Sequence, residues 1–421
     1  MLAGIHRARH LAKHLESAGW QPIVLCVDET FHEEPLDHTL GALVPGSVEI
    51  VKVPAIPARL TRAAGVGDIG LRAWPYLRRA LFCLLKERRV DTVFITGSPY
   101  YPMLLAPEIK RKTGVPVVLD FQDPWVSTWG ASQRPLSKSG LAHFLATRLE
   151  PRAVRAASFL TSVSDIQNDE MAARYSWLDT SRMAGIPIGG DPDDFVALGS
   201  APPTDAAEQL DKGFVNLTYV GAFWPRADPQ FRALFRAFNR LRAAEPALAG
   251  RIKLNFIGTG KQSKNTATCQ VLRLAEDEGA ADAVREIPQR VPYLRALRVL
   301  AKSDGILLVG SDEPHYTASK IYSCLMSGRP FLSLFHRSSS AHAILSSSGG
   351  GCALAFESLQ ELAGLHAPLA DGLRTLSIAP EALGRANPQV YKPFEASAIA
   401  RRFADIFDRV GAERRFHGHK V

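Results

Sequence analysis

Short apolar runs alternate along the chain with longer segments of helical periodicity. Four runs in the first half predict buried strands, and they lie within residues 22–27 ("PIVLCV"), 91–97 ("DTVFITG"), 116–121 ("PVVLDF") and 159–164 ("FLTSVS"). The segments between these runs are long enough for crossover helices, as in a parallel sheet that is covered on both faces. The first half therefore predicts an open α/β domain.

The same alternation resumes after a segment of different composition. Residues 185–213 are rich in Gly, Pro and Asp, which predicts a linker. Further strands are predicted within residues 214–221 ("FVNLTYVG"), 252–258 ("IKLNFIG"), 305–310 ("GILLVG") and 330–335 ("PFLSLF"). The pattern predicts an α/β protein with two Rossmann-like domains whose parallel sheets face a central cleft. We expect these domains at residues 1–185 and 214–390, joined by a linker at 186–213, with a final helix at 391–421 that crosses back to the first domain.

Composition and charge limit the classes of function. The chain has 421 residues, too many for one core, and its five cysteines are far apart with no C-x-x-C pair. Neither a disulfide framework nor a metal site is predicted, since no ligand spacing such as H-E-x-x-H occurs. The net charge of +8 favours anionic partners such as nucleotides, phospholipid head groups or nucleic acid. The sequence has no apolar run of about 18 residues and no signal-peptide core at its start, so we expect a cytoplasmic protein.

A lone lysine stands out in the second half. Residues 315–335 ("HYTASKIYSCLMSGRPFLSLF") predict a helix that begins near Thr317 and ends at Gly328, before a strand. Lys320 falls in the first turn, where the helix already carries partial positive charge and unpaired N–H groups. A lysine is unfavourable there unless an anion binds nearby. The alternative is a surface lysine whose stem lies along the protein with its charge in water.

Two glycine turns follow predicted strands of the second domain. In "FIGTGK", the missing side chains of Gly258 and Gly260 let backbone N–H groups approach a phosphate or a sugar. An ordinary tight turn is the alternative, because the motif is neither G-x-G-x-x-G nor a P-loop. In "YVGAFWPRADP", Gly221 ends a strand and Arg226 can bind a diphosphate through its guanidinium fork. Here the alternative is a solvated loop arginine.

The first domain offers an acidic and a basic candidate. In "VVLDFQDPW", Asp120 and Asp123 come at a strand end, where carboxylates can orient sugar hydroxyls or serve as a base. An Asp followed by Pro is equally a turn former. Residues 59–89 mix arginines with large apolar side chains, as in a basic amphipathic helix that lies on an anionic membrane. The alternative is a crossover helix packed on the sheet.

Taken together, these segments resemble the family 4 glycosyltransferases, which have the two-lobed GT-B fold. The resemblance is carried, in the family's order, by residues 97–125 ("GSPYYPMLLAPEIKRKTGVPVVLDFQDPW"), 186–195 ("IPIGGDPDDF") and the P-S-K-like helix at 317–332 ("TASKIYSCLMSGRPFL"). It implies a nucleotide-sugar donor bound mainly by the second domain and an acceptor bound by the first. It also implies transfer with retention at the anomeric carbon, without a metal or other cofactor.

The resemblance further implies roles for individual residues. Arg226 and Lys320 would hold the donor diphosphate, and Asp123 would be the catalytic residue of the first domain. The implied donor-binding residues are Gly4, Gly221, Gly258, Gly260, Arg290, Val291, Glu313, Ser319 and Ser323. Among these, Arg290 and Val291 would flank the base, and Gly4 would belong to the glycine loop that approaches the donor from the first domain.

Three departures from the family pattern bear on these roles. Ser323 stands where many members have a glutamate that contacts the ribose, and Glu313 lies too far upstream for the usual spacing. Gln122, which cannot take a proton, replaces a His or Arg before Asp123. Gly4 follows Met1 by only a few residues, so we expect the first strand of the N-terminal sheet to be missing, through a mis-assigned start or a truncated gene.

The predicted function is that of a retaining, nucleotide-sugar-dependent glycosyltransferase. It would move a sugar to a glycan or lipid-linked acceptor in polysaccharide or glycoconjugate synthesis, in the cytoplasm, with peripheral contact to the inner face of an anionic membrane as one option. The alternative is a catalytically silent GT-B protein that binds nucleotide or glycan as a scaffold or partner subunit. Nucleic acid is not an expected partner, because the positive charge is spread along the chain and no nucleic-acid-binding module is visible.

Overall fold

The computed structural model describes residues 4–34, 36–200, 210–260, 268–313 and 319–418. They form two compact units. The amino-terminal unit consists of the described residues of Leu2–Leu36, Val44–Ile188 and Ala396–Val421. The carboxy-terminal unit consists of Asp37–Leu43 and the described residues of Gly189–Glu395.

Short strands alternate with helices throughout, as the apolar runs predicted. The strands are β1 (Ile23–Val27), β2 (Glu49–Val53), β3 (Val93–Gly97), β4 (Val117–Phe121), β5 (Phe159–Ser162), β6 (Met183–Gly185), β7 (Val215–Val220), β8 (Ile252–Ile257), β9 (Val284–Ile287), β10 (Gly305–Val309), β11 (Phe331–His336) and β12 (Gly351–Phe356). The α-helices are α1 (Gly4–His14), α2 (Ala58–Thr61), α3 (Ile69–Glu87), α4 (Ala106–Thr113), α5 (Thr128–Ala131), α6 (Lys138–Ala156), α7 (Asp165–Arg174), α8 (Asp193–Val196), α9 (Asp228–Ala244), α10 (Pro246–Ala249), α11 (Gln270–Asp277), α12 (Tyr293–Lys302), α13 (Lys320–Met326), α14 (Ser340–Ser348), α15 (His366–Ile378), α16 (Pro388–Tyr391) and α17 (Ala396–Gly418).

The strands of the amino-terminal unit are parallel but form two separate sheets. Strands β3, β4, β5 and β6 are hydrogen-bonded in that order, whereas β1 pairs with β2. Every residue of β4 and β5 is buried, while β1 and β3 are mostly half-buried. The four-stranded sheet therefore holds the most deeply buried strands of this unit.

Helix α17 packs into the core of the amino-terminal unit. The rings of its Phe403 and Phe407 lie 5.2 and 5.8 Å from the ring of Phe94 on β3, measured between centroids. Leu11 of α1 is buried in the same cluster. The first and the last helix of the described chain therefore share one core.

The carboxy-terminal unit is built on one parallel sheet in the order β12-β11-β10-β7-β8-β9. Helix α9 covers this sheet with an apolar stripe. All members of the stripe that the sequence predicted are buried, namely Phe231, Leu234, Phe235, Phe238 and Leu241. Two parallel α/β units confirm the predicted fold class.

The basic segment at residues 59–89 is not one continuous helix. Helix α2 ends at Thr61, and α3 begins at Ile69 and contains Pro75. Trp74, Leu81 and Phe82 pack against the core of the amino-terminal unit, which favours the crossover-helix interpretation. Within the described ranges, no helix has the length and apolar character needed to cross a membrane.

Part of the segment expected as a linker is folded. Gly185 ends β6, and Phe195 of α8 packs with Leu198 against the core of the carboxy-terminal unit. Apolar side chains in an otherwise Gly-, Pro- and Asp-rich segment are sufficient to anchor it. Residues 201–209 of this segment lie outside the described residues.

Candidate active site

The candidate site lies at the carboxyl ends of the strands in the carboxy-terminal unit. Strand β7 is central, with β10 on one side and β8 on the other. Gly221 directly follows β7, and Gly258 directly follows β8. Parallel neighbouring strands end at the same edge of a sheet, which is where ligands bind in open α/β folds. The fold therefore brings the two predicted glycine turns together.

Lys320 is the first residue of α13, and its side chain reaches the end of β7. Its Nζ lies 3.8 Å from the centroid of the Tyr219 ring. A Cβ atom at Gly221 would lie 3.4 Å from Lys320 Cδ and 3.6 Å from Nζ. Gly221 also has a φ of 141°, a value that side chains disfavour. Glycine at this position therefore leaves room for the ammonium group.

The Lys320 ammonium group is partly withdrawn from water. Among the described residues, no carboxylate forms an ion pair with it. Lys320 is half-buried, and this desolvation lowers its pKa to about 7. One helical turn further on, burial raises the pKa of the Cys324 thiol to about 12, so the thiol stays neutral. An anion bound beside Lys320 would favour its charged form. The predicted start of this helix, near Thr317, lies outside the described residues.

Arg226 lies in the loop that follows β7, and two carboxylates already bind it. Its Nε and one terminal nitrogen donate to Asp312 at 2.8 and 3.2 Å, and the other terminal nitrogen donates to Glu313 at 2.9 Å. The Arg226 side chain is 61 % exposed. The arginine thus stands at the same edge of the sheet as Lys320, but a diphosphate would have to compete with Asp312 and Glu313 for its donors.

Backbone hydrogen bonds fasten the glycine turns to one another. The N–H of Gly221 donates to Ile257 at 2.9 Å, and those of Gly258 and Gly260 donate to Ile287 and Pro288 at 2.8 Å. These N–H groups are therefore engaged within the unit, unlike the phosphate-facing groups that the sequence predicted. The space without a side chain at Gly221 is taken by Lys320, whereas at Gly258 the nearest atom to a Cβ position is the Gln289 backbone oxygen at 4.0 Å.

The remaining predicted donor-binding residues of this unit lie after β9 and at the start of α13. Arg290 and Val291 follow β9 and are half-buried. Ser319 directly precedes α13, and its side chain forms no helix cap. Ser323 is half-buried and lies three residues after Lys320, so both residues share one face of α13.

Asp123 belongs to the amino-terminal unit, in the loop after β4. Its residue is exposed, but nearby protein atoms partly desolvate the carboxyl and raise its pKa. The Tyr100 hydroxyl donates to the backbone oxygen of Asp123 at 2.9 Å, and the Tyr100 ring stacks on Trp125 with centroids 5.4 Å apart. The loop thus presents a carboxylate at the surface beside two aromatic rings, an arrangement suited to a sugar hydroxyl.

Gly4 and Gln122, both singled out by the sequence, are neighbours. A Cβ atom at Gly4 would lie 3.1 Å from Gln122 Oε1. The Gln122 amide donates to Thr96 Oγ1 at 2.6 Å, and its Oε1 is buried without a hydrogen-bond partner among the described residues. Gly4 begins α1, so in this structure it is the first residue of a helix beside β4.

Asp120, the other carboxylate of that stretch, has a structural role. It is fully buried and accepts from Arg7 Nε at 3.2 Å and from the hydroxyls of Thr96 and Thr161 at 2.7 Å. Arg7 also donates to the backbone oxygen of Pro187 at 2.9 Å. Neither Arg7 as a partner of Asp120 nor Asp312 as a partner of Arg226 was predicted from the sequence. A signal existed for Asp312, because "SDE" directly follows the apolar strand "GILLVG".

Comparison with known proteins is consistent with this architecture. Residues 4–189 match the family model described as "Glycosyl transferase 4-like domain", and no curated protein sequence matches the chain. Among solved structures, HepE of Anabaena in complex with UDP and glucose is 14 % identical, with a TM-score of 0.60 over 96 % of this chain and 95 % of that one. A glycosyltransferase from Rickettsia africae is also 14 % identical, with a TM-score of 0.60 over 97 % and 95 %. A UDP-forming α,α-trehalose-phosphate synthase from Burkholderia vietnamiensis is 17 % identical, with a TM-score of 0.56 over 82 % and 76 %.

Proposed function

We propose that this protein is a retaining, nucleotide-sugar-dependent glycosyltransferase. The premise is that residues 4–189 match a glycosyltransferase 4-like domain, in a chain with the GT-B fold. It would transfer the sugar to a glycan or lipid-linked acceptor in the cytoplasm. The observation that carries the proposal is Lys320, whose charge is half-buried at the strand ends without a carboxylate partner in the described ranges. A diphosphate is the anion that such a position favours.

Lys320 has a role in the bond-breaking step of this proposal. The acceptor hydroxyl oxygen forms a bond to the anomeric carbon, and the bond from that carbon to the donor phosphate oxygen breaks. The electron pair goes to the nucleoside diphosphate, so negative charge grows on the leaving group. A cation fixed in a poorly hydrated site stabilises that growing charge more than a cation in water would. Lys320 therefore acts on the transition state rather than on substrate binding alone.

Arg226 and Asp123 have supporting roles. Arg226 would exchange one of its carboxylate partners for the donor diphosphate, which explains why its side chain is exposed at the same edge. Asp123 would orient the acceptor hydroxyl or take its proton, and its raised pKa favours proton uptake. Gly221, Gly258 and Gly260 would leave space for the donor.

UDP-glucose is the first donor to test. The similar HepE structure contains UDP and glucose, and the similar trehalose-phosphate synthase is UDP-forming. The measurement is release of UDP from UDP-glucose and from a panel of other UDP- and GDP-sugars. Replacing Lys320 with Met should lower kcat about 100- to 1,000-fold, the usual loss when one fixed donor to a growing negative charge is removed.

Lys302→Met is the matched control. Lys302 is an exposed lysine at the end of α12, and its loss should leave kcat unchanged. Lys302→Met should melt near the wild-type temperature, and Lys320→Met should melt at that temperature or above it, because a desolvated charge is removed. Equal rates for Lys320→Met and wild type would refute the assignment of Lys320. Nuclear magnetic resonance of the product gives its anomeric configuration, and inversion would refute the retaining mechanism.

We also propose that the reaction needs no metal, because Lys320 and Arg226 supply the positive charge. Turnover should then be unchanged after treatment with EDTA. A rate that falls with EDTA and returns with Mg²⁺ would contradict this part of the proposal alone.

The binding of Arg226 by Asp312 and Glu313 supports a second candidate, a silent GT-B protein that binds nucleotide or glycan as a scaffold or partner subunit. A thermal-shift experiment separates the two, because a ligand that binds only the native state raises its apparent stability. A shift with UDP but no UDP release from any donor would favour the silent protein.

A further inference from the structure

A set of exposed apolar side chains lies in one segment of the amino-terminal unit. Its members are Trp129, Leu136, Leu141, Phe144 and Leu145, with exposed fractions from 41 % for Leu145 to 102 % for Leu136. We call it the 129–148 surface. Of the eighteen large apolar side chains that are exposed in the described part of the chain, five fall within these seventeen residues, from 129 to 145. Isolated exposed apolar residues are normal, whereas a concentrated set indicates a binding surface.

The surface has a defined local structure. A Cβ atom at Gly140 would collide with the backbone oxygen of Arg134, so the loop before α6 is packed directly on the start of the helix. Ser137 caps α6 by accepting from Gly140 N–H at 3.0 Å. A Cβ atom at Gly130 would lie 2.6 Å from His143 Nδ1, which places α5 against α6. The apolar side chains are therefore held outward by a packed support.

The exposed side of α6 has helical periodicity. Leu141, Phe144, Leu145 and Arg148 are spaced three and four residues apart and lie on one face. The Arg148 guanidinium lies over the Phe144 ring, 4.9 Å from its centroid. In an ordinary surface helix this side would be polar, and the buried side carries small residues such as Ala146 and Ala153. Helix α6 thus exposes large apolar residues with a basic residue at the margin.

The charged side chains of this segment have one sign. Arg134, Lys138 and Arg148 are exposed, and residues 124–149 contain no Asp or Glu. Apolar side chains flanked by Lys and Arg suit the boundary between lipid head groups and acyl chains when the lipid is anionic. The same charge disfavours a second copy of this chain, since a symmetric contact would place like charges opposite each other.

We propose that the 129–148 surface binds the face of an anionic phospholipid membrane, with the apolar cluster in the head-group region and the three basic residues on phosphate groups. This membrane contact differs from the one the sequence suggested at residues 59–89, where Trp74, Leu81 and Phe82 are packed on the core. The inference goes beyond sugar transfer and does not require it. A protein that lacked transferase activity could still bind vesicles through this surface.

Vesicle co-sedimentation of the full chain tests the proposal. Wild type should bind vesicles of phosphatidylcholine with phosphatidylglycerol and should bind phosphatidylcholine alone much more weakly. Leu141→Asp with Phe144→Asp should weaken binding by about tenfold or more, because two apolar contacts are lost and two like charges are added. Arg134→Gln with Lys138→Gln should weaken it by about 30-fold at low salt. Added salt should weaken wild-type binding as well.

Two control variants identify the surface. Leu359→Asp changes an exposed leucine of the carboxy-terminal unit, and Leu60→Asp changes an exposed leucine of the 59–89 segment. Both should bind vesicles like wild type. The proposal would be overturned if Leu60→Asp lost vesicle binding while the Leu141 and Phe144 variant bound like wild type. Equal binding of wild type to neutral and anionic vesicles would also overturn it.

Two further measurements exclude other causes. Leu141→Gln with Phe144→Gln is a milder change, and its melting temperature should match that of wild type, so that lost binding is not lost folding. Sedimentation velocity tests the second copy. The proposal would be overturned in favour of self-association if wild type formed a concentration-dependent dimer and did not bind vesicles, and if this variant were a monomer. UDP release in the absence of lipid should be unchanged in these variants, which separates this inference from the proposed transfer.

Discussion

One cation in each unit, Arg7 and Lys320, is withdrawn from water, and the two differ in their partners. In the amino-terminal unit, Arg7 and Asp120 are both buried and form an ion pair at 3.2 Å that links α1 to β4. In the carboxy-terminal unit, Lys320 is half-buried at the start of α13, and no carboxylate of the described residues neutralises it. A cation that is already paired stabilises a fold only as long as both partners remain. A desolvated cation without a carboxylate partner lowers stability unless an anion binds it.

The same contrast separates Lys320 from Arg226 within one unit. Arg226 is exposed and has two carboxylates, whereas Lys320 is withdrawn from water and lies over the Tyr219 ring. An exposed ion pair is worth little in stability, and a desolvated cation is costly until an anion arrives. Removing either charge, or binding an anion beside it, should therefore change stability by different amounts at the two cations.

The largest expected effect is on the buried pair. Replacing Arg7 with Met leaves the Asp120 carboxylate buried without its cation, which should lower the free energy of unfolding by about 3–5 kcal/mol. Urea denaturation of the purified variant measures this. Arg9→Met is a less suitable control because that residue is also buried, so Lys86→Met on α3 serves instead and should change stability little. Wild-type stability in Arg7→Met would show that the pair does not hold the unit together.

The next effect is the dependence of stability on pH. The pKa of Lys320 is about 7 in the folded protein and 10.5 is its ordinary value, so between these values the unfolded chain binds more protons. The free energy of unfolding should therefore rise with pH across this window, by up to about 1.4 kcal/mol per pH unit, and stay level below pH 7 as far as Lys320 is concerned. Denaturation at a series of pH values, wild type minus Lys320→Met, isolates this contribution. A difference that is flat across the window would refute the lowered pKa.

A third effect is proton uptake on ligand binding. An anion at Lys320 should raise its pKa, so binding of UDP near pH 7 should take up about half a proton. Calorimetry in buffers of different ionisation enthalpy measures that number. Lys320→Met should abolish the uptake, whereas Arg226→Met should retain it, since arginine stays charged at this pH. Equal uptake in wild type and Lys320→Met would place the titrating group elsewhere.

The smallest effect concerns the partners of Arg226. Arg226→Ala should change the free energy of unfolding by less than about 1 kcal/mol, as for other exposed ion pairs. Asp312→Asn should free the guanidinium and increase UDP affinity by about fivefold, a gain of about 1 kcal/mol. Glu313→Gln should behave in the same way if Glu313 only pairs with Arg226. A loss of affinity in Glu313→Gln would instead support direct contact between Glu313 and the ribose.

The inner strands of the fold were all predicted, whereas four of the six edge strands were not. The run "VVLDF" of β4 is buried at every position, so its sequence carries a continuous apolar signal. Strands β2, β6, β9 and β12 were missed, and each lies at the edge of its sheet. Edge strands are less buried, as "VREI" of β9 shows with every residue half-buried, so fewer of their positions need to be apolar. Only the pairing with a neighbour identifies them as strands.

The candidate site divides in a similar manner. Lys320 could be found because a lysine in the first turn of a helix conflicts with a local rule, and a conflict of this kind often marks function. The binding of Arg226 by Asp312 and Glu313 could not, because 86 and 87 residues separate the partners and only the order of β7 and β10 in the sheet brings them together. The hydrogen bonds of the Gly258 and Gly260 N–H groups could not be predicted for the same reason, since their acceptors are the last residue of β9 and the residue after it.

The place of α17 has a consequence for biosynthesis. Phe403 and Phe407 belong to the core that contains Phe94, so more than 300 residues are translated between the two halves of that core. The ribosome therefore releases the carboxy-terminal sheet before the amino-terminal unit has all of its apolar surface covered. Until α17 has been synthesised, the nascent chain exposes the apolar surface of the amino-terminal unit that α17 covers in the folded protein. Deleting α17 would leave that surface exposed.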